Sequence, residues 1–121
     1  MEVAYPDELM SDPRYRPRRY TSEPAAFGKA ANIQWGPVAS GSEDQADAAK
    51  MQHFYAKVIA DEAKRQYGSI KRYARVAGVD YQRLTKILRG EAVMRFEDIA
   101  SARRQLGDAI PFPPIFKGSH Q

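Results

Sequence analysis

Between residues 81 and 89 the chain reads YQRLTKILR, and most of its polar side chains can bond in a fixed plane or carry a full positive charge. Gln82 offers a donor and an acceptor side by side, and Arg83 and Arg89 each offer a planar fork of donors. Lys86 is a compact cation, and Tyr81 and Thr85 each add a hydroxyl. Nothing in this set pairs a nucleophile with a base. What these groups can do is grip: an amide or guanidinium holds two atoms of a planar edge at once, and the cations attract anions. Ser69, Lys71 and Arg72 repeat the theme upstream, and PRYRPRRY places Arg14, Arg16, Arg18 and Arg19 within one short stretch.

The charge balance agrees. Residues 1–63 hold seven basic and ten acidic side chains, residues 64–104 eleven and four, and residues 105–121 one of each, so the positive charge gathers around the residues just named. A polyanion is the partner this implies, and nucleic acid is the commonest one for a basic helical module. Cysteine is absent and His53 and His120 are the only histidines, so neither a metal site nor a cofactor is expected. There is no glycine-rich phosphate loop and no nucleophile elbow, and Asp61 and Glu62, adjacent in sequence, do not face one another on a helix. No catalytic residue and no enzymatic activity are expected. No stretch approaches the roughly 18 apolar residues that cross a bilayer, and the start MEVAYPDELM is acidic, so a soluble cytoplasmic protein without a membrane partner is expected.

The length suits one domain, with helices as the elements that must position the polar face. Ser42 with Gln45 fits a capping box that opens a long helix, on which Met51, Phe54, Tyr55, Val58, Ile59 and Ala63 predict one buried stripe until Gly68. Ser69 then caps a two-turn helix whose inner side is Ile70, Tyr73, Ala74 and Ala77. Gly78 supplies a left-handed residue for a sharp reversal, and Asp80 caps the next helix, which buries Leu84, Ile87 and Leu88 and ends at Gly90. A fourth helix is expected from about Phe96 to Leu106, with Phe96, Ile99, Ala102 or Arg103, and Leu106 inward.

A small Ala74, the turn glycine Gly78 and the buried Leu84, in SIKRYARVAGVDYQRLTKILRG followed by RFEDIASARRQLG, resemble the helix-turn-helix of lambda-repressor and Cro-type regulators, over roughly residues 50–107. The resemblance implies an all-α, four- to five-helix domain at residues 42–107 that binds double-stranded DNA and regulates transcription, as a repressor of the phage or bacterial kind associated with the nucleoid. It also implies base contacts by Tyr81, Gln82, Arg83, Thr85 and Lys86, and phosphate contacts by Ser69, Lys71, Arg72 and Arg89. The chemistry fits, since glutamine pairs bidentately with adenine and arginine or lysine with guanine. Ile70 stands where the family often has glutamine, and Tyr73 where it has leucine.

Residues 1–41 are rich in proline and without period, so an irregular segment is expected, with Arg14, Arg16, Arg18 and Arg19 as a flexible arm on DNA. Ile33, Trp35 and Val38 are expected to dock onto the helices. Residues 108–121 cannot be helical through Pro111, Pro113 and Pro114, yet Ile110, Phe112, Ile115 and Phe116 need a surface, either their own domain or a second subunit. A homodimer would double the recognised site. The rival reading is an antitoxin or other protein-interaction module whose helix-turn-helix and N-terminal segment hold a protein partner.

Overall fold

The computed structural model describes residues 15–111, and within them the fold is all-α. Helix α1 spans Glu43–Tyr67, α2 Ile70–Ala77, α3 Tyr81–Leu88 and α4 Phe96–Leu106, preceded by two 3-10 turns at Pro17–Tyr20 and Pro24–Ala26. Helix α1 packs against each of the other three helices and against the first 3-10 turn.

The short helices begin and end where local chemistry requires. Ser69 accepts the Arg72 amide at 3.0 Å, and Asp80 Oδ1 accepts the Gln82 amide at 3.0 Å, so each helix start has one otherwise orphaned donor satisfied. Gly78 adopts φ 74°, and the Val79 amide returns to the Ala74 carbonyl at 3.0 Å, which closes α2 and turns the chain within three residues. Tyr73 and Ala74 from α2 and Leu84, Ile87 and Leu88 from α3 join Ile59, Ala63, Ala102 and Leu106 in one core. The Tyr73 ring meets Tyr67 edge-on at 5.5 Å, and burial, with Tyr67 beside it, pushes its phenol pKa up.

Helix α1 departs from expectation at both its cap and its stripe. Ser42 makes no side-chain capping bond; Gln45 Oε1 instead accepts the Tyr20 hydroxyl at 2.8 Å. Of the expected stripe, Ile59 and Ala63 are buried and Tyr55 and Val58 pack in part on the core, but Met51 is 58% and Phe54 51% exposed, and the buried face is completed by Ala46, Ala49, Gln52, His53, Ala56 and Ala60. Alanines let α1 lie close to its neighbours, and the polar pair among them satisfies backbone that no helix ladder reaches. Gln52 Nε2 donates to the carbonyls of Ile87 and Ala92, both at 2.8 Å, and its Oε1 accepts the Met94 amide at 2.9 Å. One buried amide thus fastens α1 to the end of α3 and to the loop before α4. Gln52→Ala would strand three backbone groups, and the expected loss is about 2 kcal/mol, read from the urea midpoint at unchanged slope.

The N-terminal segment is folded rather than arm-like over its described part. Residues 20–36 close a loop: Ser22 N donates to Gln34 O at 3.0 Å, Gly36 N to Tyr20 O at 2.9 Å, and the Thr21 hydroxyl also reaches Gln34 O. Phe27 from this loop is buried, and its ring packs edge-on against Trp35 and His53. His53 Nδ1 accepts the Gly28 amide at 2.8 Å. Ile33 and Trp35 dock as expected, whereas Val38 stays exposed. At the other end Ile110 is fully buried against its own domain. Phe112, Pro113, Pro114, Ile115 and Phe116 lie outside the described residues.

Phe96 is the other correction. It is 83% exposed, because at about 100° per residue it sits some 120° round α4 from Ala102, beyond the stripe that Ala102, Leu106 and Ile99 form.

Candidate nucleic-acid interface

On α3 the buried Leu84, Ile87 and Leu88 fix which side chains face outward. Gln82, Lys86 and Arg89 fall on one line, four and then three residues apart, directly opposite that buried face, and all three are exposed. Tyr81, 40% exposed, and the half-buried Thr85 flank the line. The Thr85 hydroxyl donates to the Gln82 carbonyl at 2.9 Å, so it is turned back onto its own helix. The Gln82 amide side chain and the Lys86 ammonium have no hydrogen-bond or ion-pair partner among the described residues.

Arg83 is placed differently from its neighbours. Its guanidinium grips Asp98 of α4 in a bidentate pair, NH1 to Oδ1 at 2.6 Å and NH2 to Oδ2 at 2.9 Å. The same carboxylate accepts the Arg95 amide at 2.7 Å, which makes Asp98 both the cap of α4 and the anchor of α3. Burial works to raise the Asp98 pKa, but the bonds from Arg83 and the Arg95 amide outweigh it and hold the carboxyl below its ordinary value. Arg83 in turn is raised, chiefly by its bond to Asp98. The base contact that the resemblance implied for Arg83 would therefore require breaking this pair. Arg83 fixes how α3 sits, and Gln82 and Lys86 are the side chains of this face left to bond outward.

This pair has a pH signature. A carboxylate whose folded pKa is depressed adds stability that is present above its unfolded pKa, about 4 for an aspartate, and that is lost as pH falls through the folded value. The wild-type chain is expected to lose urea resistance below about pH 4 more steeply than Asp98→Asn, which should start weaker at neutral pH. Parallel acid limbs for the two proteins would show that Asp98 is not coupled to folding.

Helix α2 adds exposed cations of its own. Lys71 and Arg72 are exposed and unpaired among the described residues, as is Arg75, which the sequence pattern turns outward without assigning it a contact. Ser69 Oγ accepts the Arg72 amide, which leaves its O–H to donate outward. At the far end of α3, Arg89 Nε lies 3.2 Å from Glu91 Oε2, and Arg18 NH1 approaches the same oxygen at 3.2 Å. The Arg18 amide also donates to the Gly90 carbonyl at 3.0 Å. Arg18 is thus a fixed counter-ion of Glu91 and not part of a flexible arm; it takes up part of the negative charge that would otherwise fall wholly on Arg89. Arg16 and Arg19 are exposed, and Arg14 lies outside the described residues.

The arrangement is a basic helix face of exposed donors. The small cavity beneath α3, lined by Arg83, Asp98, Tyr73 and Ile87, holds the Arg83–Asp98 pair and leads to no cluster of reactive groups. No helix among the described residues is long and apolar enough to cross a membrane. Comparison with protein-family models, curated proteins and solved structures finds no match to this chain.

Proposed function

We propose that this chain is a sequence-specific double-stranded DNA-binding regulator of the helix-turn-helix kind, acting as a phage or bacterial repressor. The observation that carries the reading is the exposed line of Gln82, Lys86 and Arg89 along a short helix and its C-cap, together with the exposed cations Lys71, Arg72 and Arg75 of α2. A major groove admits one such helix; the amide and ammonium on it suit base edges, and the other cations suit phosphates. In this reading Gln82 and Lys86 carry sequence preference, with Tyr81 and Thr85 at the edges of the contact. Lys71, Arg72 and Arg89 carry affinity, joined by Arg75. Ser69 caps the start of α2 and can donate its O–H to a phosphate, and Arg16 and Arg19 are the remaining candidates for an arm contact.

The rival reading, a module that holds a protein partner, would leave these cations without a common purpose. Selection of bound duplexes from a random pool tests the proposal. An enriched site that Gln82→Ala no longer prefers supports it, and a pool that stays random at low and at physiological salt overturns it.

A further inference from the structure

Helix α1 carries a second apolar stripe, exposed at Met51 and Phe54 and, at Val58, packed in part on the core. Asp47, Met51, Phe54, Val58, Asp61 and Arg65 follow one another at steps of four, three, four, three and four residues, the repeat of about 3.5 that keeps a narrow seam on one side of a helix. At about 100° per residue this seam lies opposite Ala49, Ala56 and Ala63, the centre of the buried face. Met51 and Phe54 are more than half exposed, and the Phe54 ring meets the neighbouring Tyr55 ring edge-on at 5.2 Å. Two large apolar side chains one turn apart on a charged helix form a patch that water does not favour.

What fits the patch is written in the charges at its ends. The N-terminal end of α1 is acidic, with Glu43, Asp44 and Asp47, and the C-terminal end is basic, with Lys64 and Arg65. A helix with an apolar middle and ends of opposite sign complements its own copy run in the opposite direction, whereas a parallel copy would set like charges together. With the two-fold axis level with residue 56, Asp47 meets Arg65 of the second copy, Phe54 meets Val58, and Met51 lies over Asp61. Each contact is made twice. Asp61 is drawn aside and neutralised by Lys57 of its own helix, Nζ to Oδ2 at 2.5 Å, so it does not set a bare charge on the methionine. Among the described residues Arg65 pairs with Glu62 one turn back, NH2 to Oε1 at 2.7 Å and Nε to the same oxygen at 3.0 Å, and its own side chain is 68% exposed, so the guanidinium keeps donors for a second carboxylate.

We infer that the Met51–Phe54–Val58 face of α1 is a self-association surface, joining two copies of this chain as an antiparallel, two-fold symmetric pair. The inference does not depend on the DNA-binding reading. Sedimentation equilibrium of the full chain over a concentration series tests it. The wild-type chain is expected to show a monomer–dimer equilibrium, and Phe54→Asp to weaken the dimer roughly tenfold or more, while melting at the same temperature under dilution that leaves both proteins monomeric. Asp47→Arg should weaken the dimer, and Asp47→Arg combined with Arg65→Asp should restore it, since the swap preserves complementarity only in the antiparallel pair. A wild-type chain that stays monomeric throughout, or a Phe54→Asp dimer of unchanged affinity, overturns the proposal. So does a diluted Phe54→Asp monomer with a lowered melting temperature, because the face would then be covered within the chain itself. Failure of the charge swap to restore the dimer overturns the antiparallel pairing.

Discussion

Adding a single methyl group at Gly28 is expected to cost this fold about 3–5 kcal/mol, at the upper end of what one residue can remove. Gly28 has φ 72°, and a Cβ built there would stand 2.2 Å from the carbonyl oxygen of Leu88 and 3.1 Å from the Ala56 Cβ. The oxygen belongs to backbone at the end of α3, so it cannot rotate aside. Either the loop lifts off, giving up the Gly28 to His53 bond and the seat of Phe27, or the end of α3 moves. The left-handed backbone alone costs an alanine about 1–2 kcal/mol, and the overlap supplies the rest. Gly78 is the control, because it has φ 74° but a methyl group on it would meet nothing within 4 Å. Gly78→Ala should therefore lose only the backbone portion. The melting temperature of Gly28→Ala is expected to fall by on the order of 15 °C, against about 5–10 °C for Gly78→Ala. Equal losses would mean that packing of the loop on α3 adds nothing to stability.

The two glycines also differ in how plainly the sequence announces them. Gly78 ends a helix that its own neighbours define, and the boundaries of α2, α3 and α4 are legible because the signals that set them are local: Ser69 and Asp80 bond an amide two or three residues on, Asp98 accepts the Arg95 amide three residues back, and a glycine follows each last turn. The inner faces of α2 and α3 are legible for the same reason, each carrying one apolar stripe. Helix α1 carries two. Periodicity favours the bulkier stripe through Met51 and Phe54, while the helix packs through alanines, Gln52 and His53, whose partners are remote in sequence. Gly28 and Phe27 are illegible on the same grounds, since nothing near them in the chain announces that the carbonyl of Leu88 will lie against them. The outward face of α3 can be drawn from its spacing as a polar line, but the departure of Arg83 from it depends on Asp98, which only the crossing of α3 and α4 brings within reach. Composition makes Arg18 look like part of an arm, and its fixed place depends on Gly90 and Glu91.

Affinity and specificity should separate on the proposed interface. Replacing Lys71, Arg72 and Lys86 together by alanine is expected to weaken binding to the selected duplex about a hundredfold at low salt, taking roughly 1 kcal/mol for each cation removed. The slope of log K against log salt should flatten by up to about 0.9 for each phosphate no longer neutralised, so most of the change should come from Lys71 and Arg72, with Lys86 adding a loss of base preference. The fold should be untouched, because all three side chains are exposed and unpaired among the described residues. Gln82→Ala should behave in the opposite way, costing about 1–3 kcal/mol on the preferred site, relaxing preference at one base pair and leaving the salt slope alone. The contrast follows from what each group would bond: the Lys71 ammonium and the Arg72 guanidinium meet the same phosphates on every sequence, while the Gln82 carboxamide finds its paired donor and acceptor on one base edge. If the triple substitution left the salt slope unchanged, the basic face would not be the surface that meets DNA. If Gln82→Ala flattened the slope instead of the preference, the line on α3 would lie along the backbone and not in the groove.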